Sequence, residues 1–301
     1  MTDIPLPAPG RPSAPRIFDR DLLRRRLARA RRSGEEDFLL ARAAADAVDR
    51  LSFVKREFRD VLDLGTPRPA LAAALAAALP TAGVTRMSPL PERGAAGRWR
   101  EVVGDEEHQP FAPGSFDLVV SCLSLQAAND LPGALVQARR SLRPDGLFLA
   151  CLFGGDTLKE LRAALSAAES EVTGGASPRV APFADLRDLG GLLQRAGFAL
   201  PVTDTEPLVV RYGHPFRLFA DLRAMGATNA LALRHRGPLA RAVLGRAVEI
   251  YAERFADPDG RLRATFEVVW LSGWSPHESQ QKPLRPGSAR MPLGEALKSD
   301  R

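Results

Sequence analysis

FDLVVSCLSL (116–125), NDLPGAL (129–135) and GLFLACLFGG (146–155) decide the fold of this chain. The first and third segments are short, continuous apolar runs without polar alternation, as expected of strands covered on both faces. Between them Leu131 to Leu142 has the length and pattern of one helix, and a strand–helix–strand unit lays its two strands parallel. The same alternation continues outward. FRDVLDLG (58–65) reads as a strand, ALAAALAAAL (70–79) as a helix, and GVTRMS (83–88) and WREVVGD (99–105) as short strands. Downstream come a helix from Asp156 to about Glu171, a loop from Gly174 to Pro178, and a helix stopped at Ala196-Gly197, where glycine suits the left-handed cap. LPVTDTEPLVVRY (200–212) is extended, segments around 216–225 and 239–255 are helical, and ATFEVVWLSGW (264–274) returns as an antiparallel partner of 202–212 at the sheet edge. The expected fold class is therefore α/β, a doubly wound, mostly parallel seven-stranded sheet with an N-terminal helical arm and a C-terminal helical insertion. The divisions are a disordered start (1–15), a basic helical arm (16–57) broken at Ser33-Gly34, the α/β domain (58–274) and a polar tail (275–301).

At 301 residues, 45% apolar and 26% charged, the composition is that of a globular protein with a full core. No apolar run reaches the roughly 18 residues of a membrane span, and the start lacks the apolar centre of a secretory signal, so a cytoplasmic location is expected. The net charge of +6 is concentrated. Residues 11–32 carry nine arginines against Asp19 and Asp21, which leaves the rest of the chain close to neutral. Such an arm is either a solvated basic face or a contact for an acidic partner or membrane surface. Nucleic acid is a weaker reading, because the aromatic residues that stack bases are not interleaved with the arginines. Cys122 and Cys151 lie in apolar runs and read as small core residues. Four histidines without ligand spacing give no reason to expect a metal.

In an open α/β sheet, ligands bind beyond the carboxyl ends of the strands. Those ends fall at 63–69, 86–89, 104–107, 121–125 and 154–157. The run 104–125, with NDLPGAL (129–135) and SLRPDGLFLACLFGGDTLKELR (141–162), resembles class I S-adenosylmethionine-dependent methyltransferases. It is most similar there to the complex I assembly factor family that includes an arginine hydroxylase of an NADH dehydrogenase subunit. IFDRDLLRRRLARA (17–30), 177–198, DLRAMGATNAL (221–231) and GWSPHESQQKPLRPGSA (273–289) carry the same resemblance, and GGDTL and WxxHESQ separate this family from other methyltransferases. The resemblance implies S-adenosylmethionine as cofactor and Asp63, Gly65, Asp105, Glu106, Ser121 and Leu123 as its contacts, Asp105 at the adenine amino group and Ser121 and Leu123 towards the methionine end. It implies a protein side chain as substrate, an arginine of an NADH dehydrogenase subunit, with Asp156, Trp274 and His277 as substrate-side candidates and Gln280 beside them. Asp156 reads equally as a helix N-cap, and a small-molecule or acyl-carrier-protein O-methyltransferase remains an alternative.

The sequence departs from the family pattern at the cofactor loop. DLGTPRP (63–69) stands where DLGCGxG is usual, and proline neither offers an N–H nor lets a backbone approach as glycine does. Pro69 suits the first position of a helix. Arg86 occupies the place of the acid that the resemblance implies at the ribose hydroxyls, with Glu92, from a displaced loop, as the lesser alternative to that acid. Gln126-Ala127 replace a usual His-Trp. Losing one charged acceptor, roughly 1.5–3 kcal/mol, and one N–H, about 1 kcal/mol, costs about 4 kcal/mol together. That approaches a thousandfold in affinity. A catalytically degenerate assembly factor that no longer binds the cofactor is therefore a second expectation.

Overall fold

The computed structural model describes residues 16–34, 37–91 and 97–281. The expected disordered start (1–15), Glu92, and residues 282–301 of the expected tail lie outside the described residues. Seven strands form one sheet: β1 (Asp60–Leu64), β2 (Gly83–Ser88), β3 (Trp99–Val103), β4 (Phe116–Cys122), β5 (Leu142–Phe153), β6 (Ala199–Tyr212) and β7 (Leu262–Trp274). Their order is β3-β2-β1-β4-β5-β7-β6, with the first five parallel and β7 antiparallel to both β5 and β6. The sequence expectation of a mostly parallel sheet with a terminal antiparallel pair holds.

Alternate residues of each central strand feed two separate cores. Val61, Leu118, Val120, Leu149 and Cys151 face one side. Leu62, Val119, Phe148, Ala150 and Leu152 face the other. Because both faces are covered, the period of two is invisible in hydropathy and the strands read as unbroken apolar runs. Helices α4 (Leu131–Ser141) and α6 (Leu186–Arg195) cover the second face. The first is covered by α2 (Phe38–Ser52), α3 (Ala70–Ala78), α5 (Lys159–Thr173) and the insertion helices α7 (Pro215–Ala224) and α8 (Arg241–Phe255). Cys122 and Cys151 are paired neighbours across β4 and β5, both free and buried.

The stretch expected as a basic arm is two helices with different roles. Gly34, in the left-handed region at φ 71°, ends α1 (Arg20–Ser33), as the Ser33-Gly34 break foretells. Beyond it α2 places Leu39, Leu40, Ala43, Ala44, Ala47 and Leu51 in the core. Helix α1 instead lies over the carboxyl rim of the sheet. Its entrance is fixed by an isolated bridge between Phe18 and Leu231 and by Phe18 N donating to Asn129 Oδ1 at 2.8 Å. Among the described residues, no helix is long and apolar enough to cross a membrane.

Candidate functional site

The rim above β1, β2 and β4 is a cavity of about 70 Å³, lined by Gly65, Pro67, Pro89, Glu106, Leu123, Ser124 and Gln126 and roofed by Arg20, Leu23, Arg24 and Leu27 of α1. Gly65 opens the turn after β1 with φ 76°. A methyl group there would sit 2.5 Å from Glu106 Oε1 and 2.6 Å from Ser124 Oγ, so the turn needs glycine, yet the space it leaves is taken by the chain's own side chains. Pro69 stands one position earlier than expected, as the N-cap of α3 and without a capping bond, because the helix begins at Ala70. The Pro67 carbonyl faces α1 and accepts from Arg31 Nε at 2.9 Å, and the same guanidinium donates to Ser88 Oγ at 2.7 Å and Leu90 O at 3.1 Å.

The acidic loop 105–107 is fully engaged. Arg20 donates to Asp105 Oδ1 at 2.9 Å and to Glu106, its Nε lies 3.8 Å from Glu107, and Arg24 reaches Asp105 Oδ2 at 2.6 Å. Ser124 Oγ donates to Glu106 Oε1, and Asn129 N to Glu107 Oε1 at 2.6 Å. Partial burial works to raise Asp105, but the Glu107 amide and the Arg20 and Arg24 guanidinia outweigh it and hold the carboxyl below its ordinary range. Arg20 ties the roof further by donating to Ala127 O at 3.1 Å. Arg68 joins the loop to Ala30 O and Ala224 O at 2.9 Å each.

Arg86 is completely buried and serves as a crosspiece. Strand register sets Asp63, Arg86 and Glu101 side by side on β1, β2 and β3. The guanidinium lies 3.1 Å from Glu101 Oε1 and 3.8 Å from Asp63 Oδ2, and donates to Thr66 O at 3.1 Å. Burial pushes Asp63 up to about 7, against the pull of hydrogen bonding from Thr66 and the charge of Arg86. Neither Arg86 nor Asp63 lines the cavity. Ser121 does not line it either; its Oγ donates to Leu64 O at 2.7 Å beneath the rim. Of the six cofactor residues implied by resemblance, Gly65, Glu106 and Leu123 line the cavity and Asp63, Asp105 and Ser121 do not.

The substrate-side candidates are separated. Asp156 is exposed at the rim and bound to Lys159 Nζ at 2.8 Å. It does not cap α5, which starts at Lys159 after Leu158 in the left-handed region. The expectation that Trp274, His277 and Gln280 share its mouth is corrected. Because β7 runs antiparallel, Trp274 ends beside Leu147, at the amino end of the parallel strands. Arg56 lies over the Trp274 ring, Gln280 donates to Asp145 Oδ1 at 2.9 Å, and exposed His277 meets Ser279 Oγ. That cluster closes the opposite edge of the sheet.

A second cavity of about 420 Å³ adjoins the first and shares Leu23, Gln126, Ala127, Phe153, Met225 and Ala227 with it. It lies under the insertion, between α5, α7, α8 and the 179–183 segment. No histidine, cysteine or lysine lines either cavity among the described residues. What sequence reasoning missed at the rim is Arg20, Arg24 and Arg31. Their signal was the charge run of 11–32, and its complement, the acidic triplet 105–107, was in plain view.

Ligand sites for small molecules occupy about 300–1,000 Å³, several times the rim cavity. The prolines, the buried cation in place of the ribose acid and the paired acidic loop all oppose the same ligand. In this arrangement the rim cavity is smaller than that range.

The comparisons with known proteins agree on ancestry. Residues 35–201 match the methyltransferase domain family. The mitochondrial arginine-hydroxylase NDUFAF5 of Homo sapiens is 40% identical over 288 residues, covering 93% of this chain and 83% of the human protein. A malonyl-[acyl-carrier protein] O-methyltransferase of Laribacter hongkongensis is 35% identical, covering 89% and 94%. Among solved structures, the YcgJ protein of Bacillus subtilis superposes with a TM-score of 0.53 at 13% identity, covering 78% of this chain and 99% of its own. That likeness speaks for the fold alone. The chain belongs to the methyltransferase-domain family with the class I, S-adenosylmethionine-binding fold, in the branch of the NDUFAF5 arginine hydroxylases.

Proposed function

We propose that this chain hydroxylates arginine, as the name of its relatives states of them, that the arginine is a side chain of a protein, and that the protein is an NADH dehydrogenase subunit. The observation that carries this reading is the likeness to arginine hydroxylases across nine-tenths of the chain. Hydroxylation converts a C–H bond to C–OH with one oxygen atom of dioxygen, the other leaving as water at the expense of two electrons from an external reductant. It moves no methyl group, so the altered loop 63–69 does not argue against it. The expected cytoplasmic location belongs to the same proposal; the NDUFAF5 relatives are mitochondrial by name. The test is co-expression with candidate subunits, followed by mass spectrometry of their arginines. A gain of one oxygen on a single arginine supports the reading, and unchanged arginines in every subunit remove it.

A second reading is favoured by the closed rim: an assembly factor that keeps the fold and no longer uses S-adenosylmethionine. Calorimetry of the purified chain with S-adenosylmethionine tests this second reading. Binding in the micromolar range would sink this second reading.

A further inference from the structure

The large cavity under the insertion carries no acidic side chain among the described residues that line it. It is ill suited to the guanidinium of an arginine substrate. Its walls are aliphatic and aromatic. Leu158 stands just before α5, Leu161 and Leu165 come from that helix, Phe219 and Leu222 from α7, and Phe266 from β7. Its volume of about 420 Å³ falls within the range of small-molecule sites. Two cations join this apolar lining. Arg179 is held by Glu169 at 2.5 Å, whereas Arg223 is exposed and forms no ion pair among the described residues. Phe216, about half exposed, stands with Arg223 where the cavity meets solvent.

An apolar chamber with one uncommitted cation at its entrance and no anion in its lining selects an amphiphile of matching polarity. We infer that it binds a medium-length aliphatic chain carrying an anionic head, with the chain among the leucines of α5 and α7 and the head at Arg223. The inference does not rest on the proposed arginine reaction; an unmodified NADH dehydrogenase subunit would leave it untouched.

Fatty acids serve as probes for the full-length chain, by calorimetry or displacement of a fluorescent fatty acid. Dodecanoate is expected to bind, and each pair of methylenes removed from it to weaken binding by roughly tenfold, because every methylene loses its share of burial. Dodecanol, and dodecanoate with Arg223→Gln, are each expected to bind about tenfold more weakly. Leu161→Trp projects an indole into the chamber among the leucines of α5 and should weaken dodecanoate binding at least tenfold. Should it fail to fold, Leu244→Trp at a half-buried wall position serves the same purpose. Affinity independent of chain length, affinity unchanged by either tryptophan, or equal binding of dodecyltrimethylammonium would each overturn the inference.

Discussion

Two neighbouring hollows of this protein, sharing six wall residues, have opposite fates. The rim cavity lies where the fold binds its cofactor and is reduced to about 70 Å³ by arginines of α1. The chamber under the insertion lies one step outward, measures about 420 Å³ and is left open by leucine and phenylalanine. The difference is one of side-chain chemistry on a common scaffold. Guanidinium groups extend to find carboxylates and so fill a polar hollow, whereas apolar side chains anchored on three rigid helices cannot reach across to close theirs. The lesson is that the roomier of the two hollows lies beside the place where the fold binds its cofactor.

The comparison can be broken most severely at Arg20. Arg20→Ala leaves the carboxylate of Glu106, almost entirely buried, without its cation, and should cost about 3 kcal/mol, near the lower end for breaking a buried pair. Urea unfolding measures this, and a loss under 1 kcal/mol would mean that the roof is not what closes the rim. Next come paired truncations. Leu71→Ala in the filled core should cost about 3 kcal/mol, whereas Leu161→Ala, already bordering a void, should cost roughly half as much. Equal losses would show the chamber to be closed in solution. An effect that depends on pH is expected at Asp63. With its native value raised to about 7 from the ordinary 3.8, the folded state holds a proton that the unfolded state has released. Stability from this group is therefore complete below about 3.8 and lost as pH rises through 7. Asp63→Asn should gain on the wild type between about pH 4 and 7 in thermal melts, and parallel curves would refute the assignment. The smallest effect concerns the chamber wall. Arg179, ahead of the Ser177 hydroxyl and amide, holds Glu169 down at about 2. The advantage of wild type over Arg179→Ala, about 1 kcal/mol, should be complete above pH 4.5 and vanish as pH falls towards 2. Denaturant midpoints at several pH values would show this.

The sheet was legible because doubly covered strands must be apolar throughout, and the segments at 116–125 and 146–155 can be little else. The departures at Pro67 and Arg86 were legible too, as residue types unsuited to their neighbours. The destination of Arg86 was not, since its partners Asp63 and Glu101 become adjacent only through strand register. The same limit hid the roof: Arg20 and Asp105 are 85 positions apart, and a run of arginines reads as solvated until its counter-charges are placed. Trp274 was assigned to the wrong end of the sheet because the sense of β7 reverses which terminus faces the rim.

Tethering gives the roof its strength. Arg20 reaches Asp105 and Glu106 from within the same chain, so its local concentration at those carboxylates is of millimolar order or more whatever the dilution of the protein. A diffusing molecule seeking the same oxygens must displace a partner that never leaves, and raising protein concentration cannot help it.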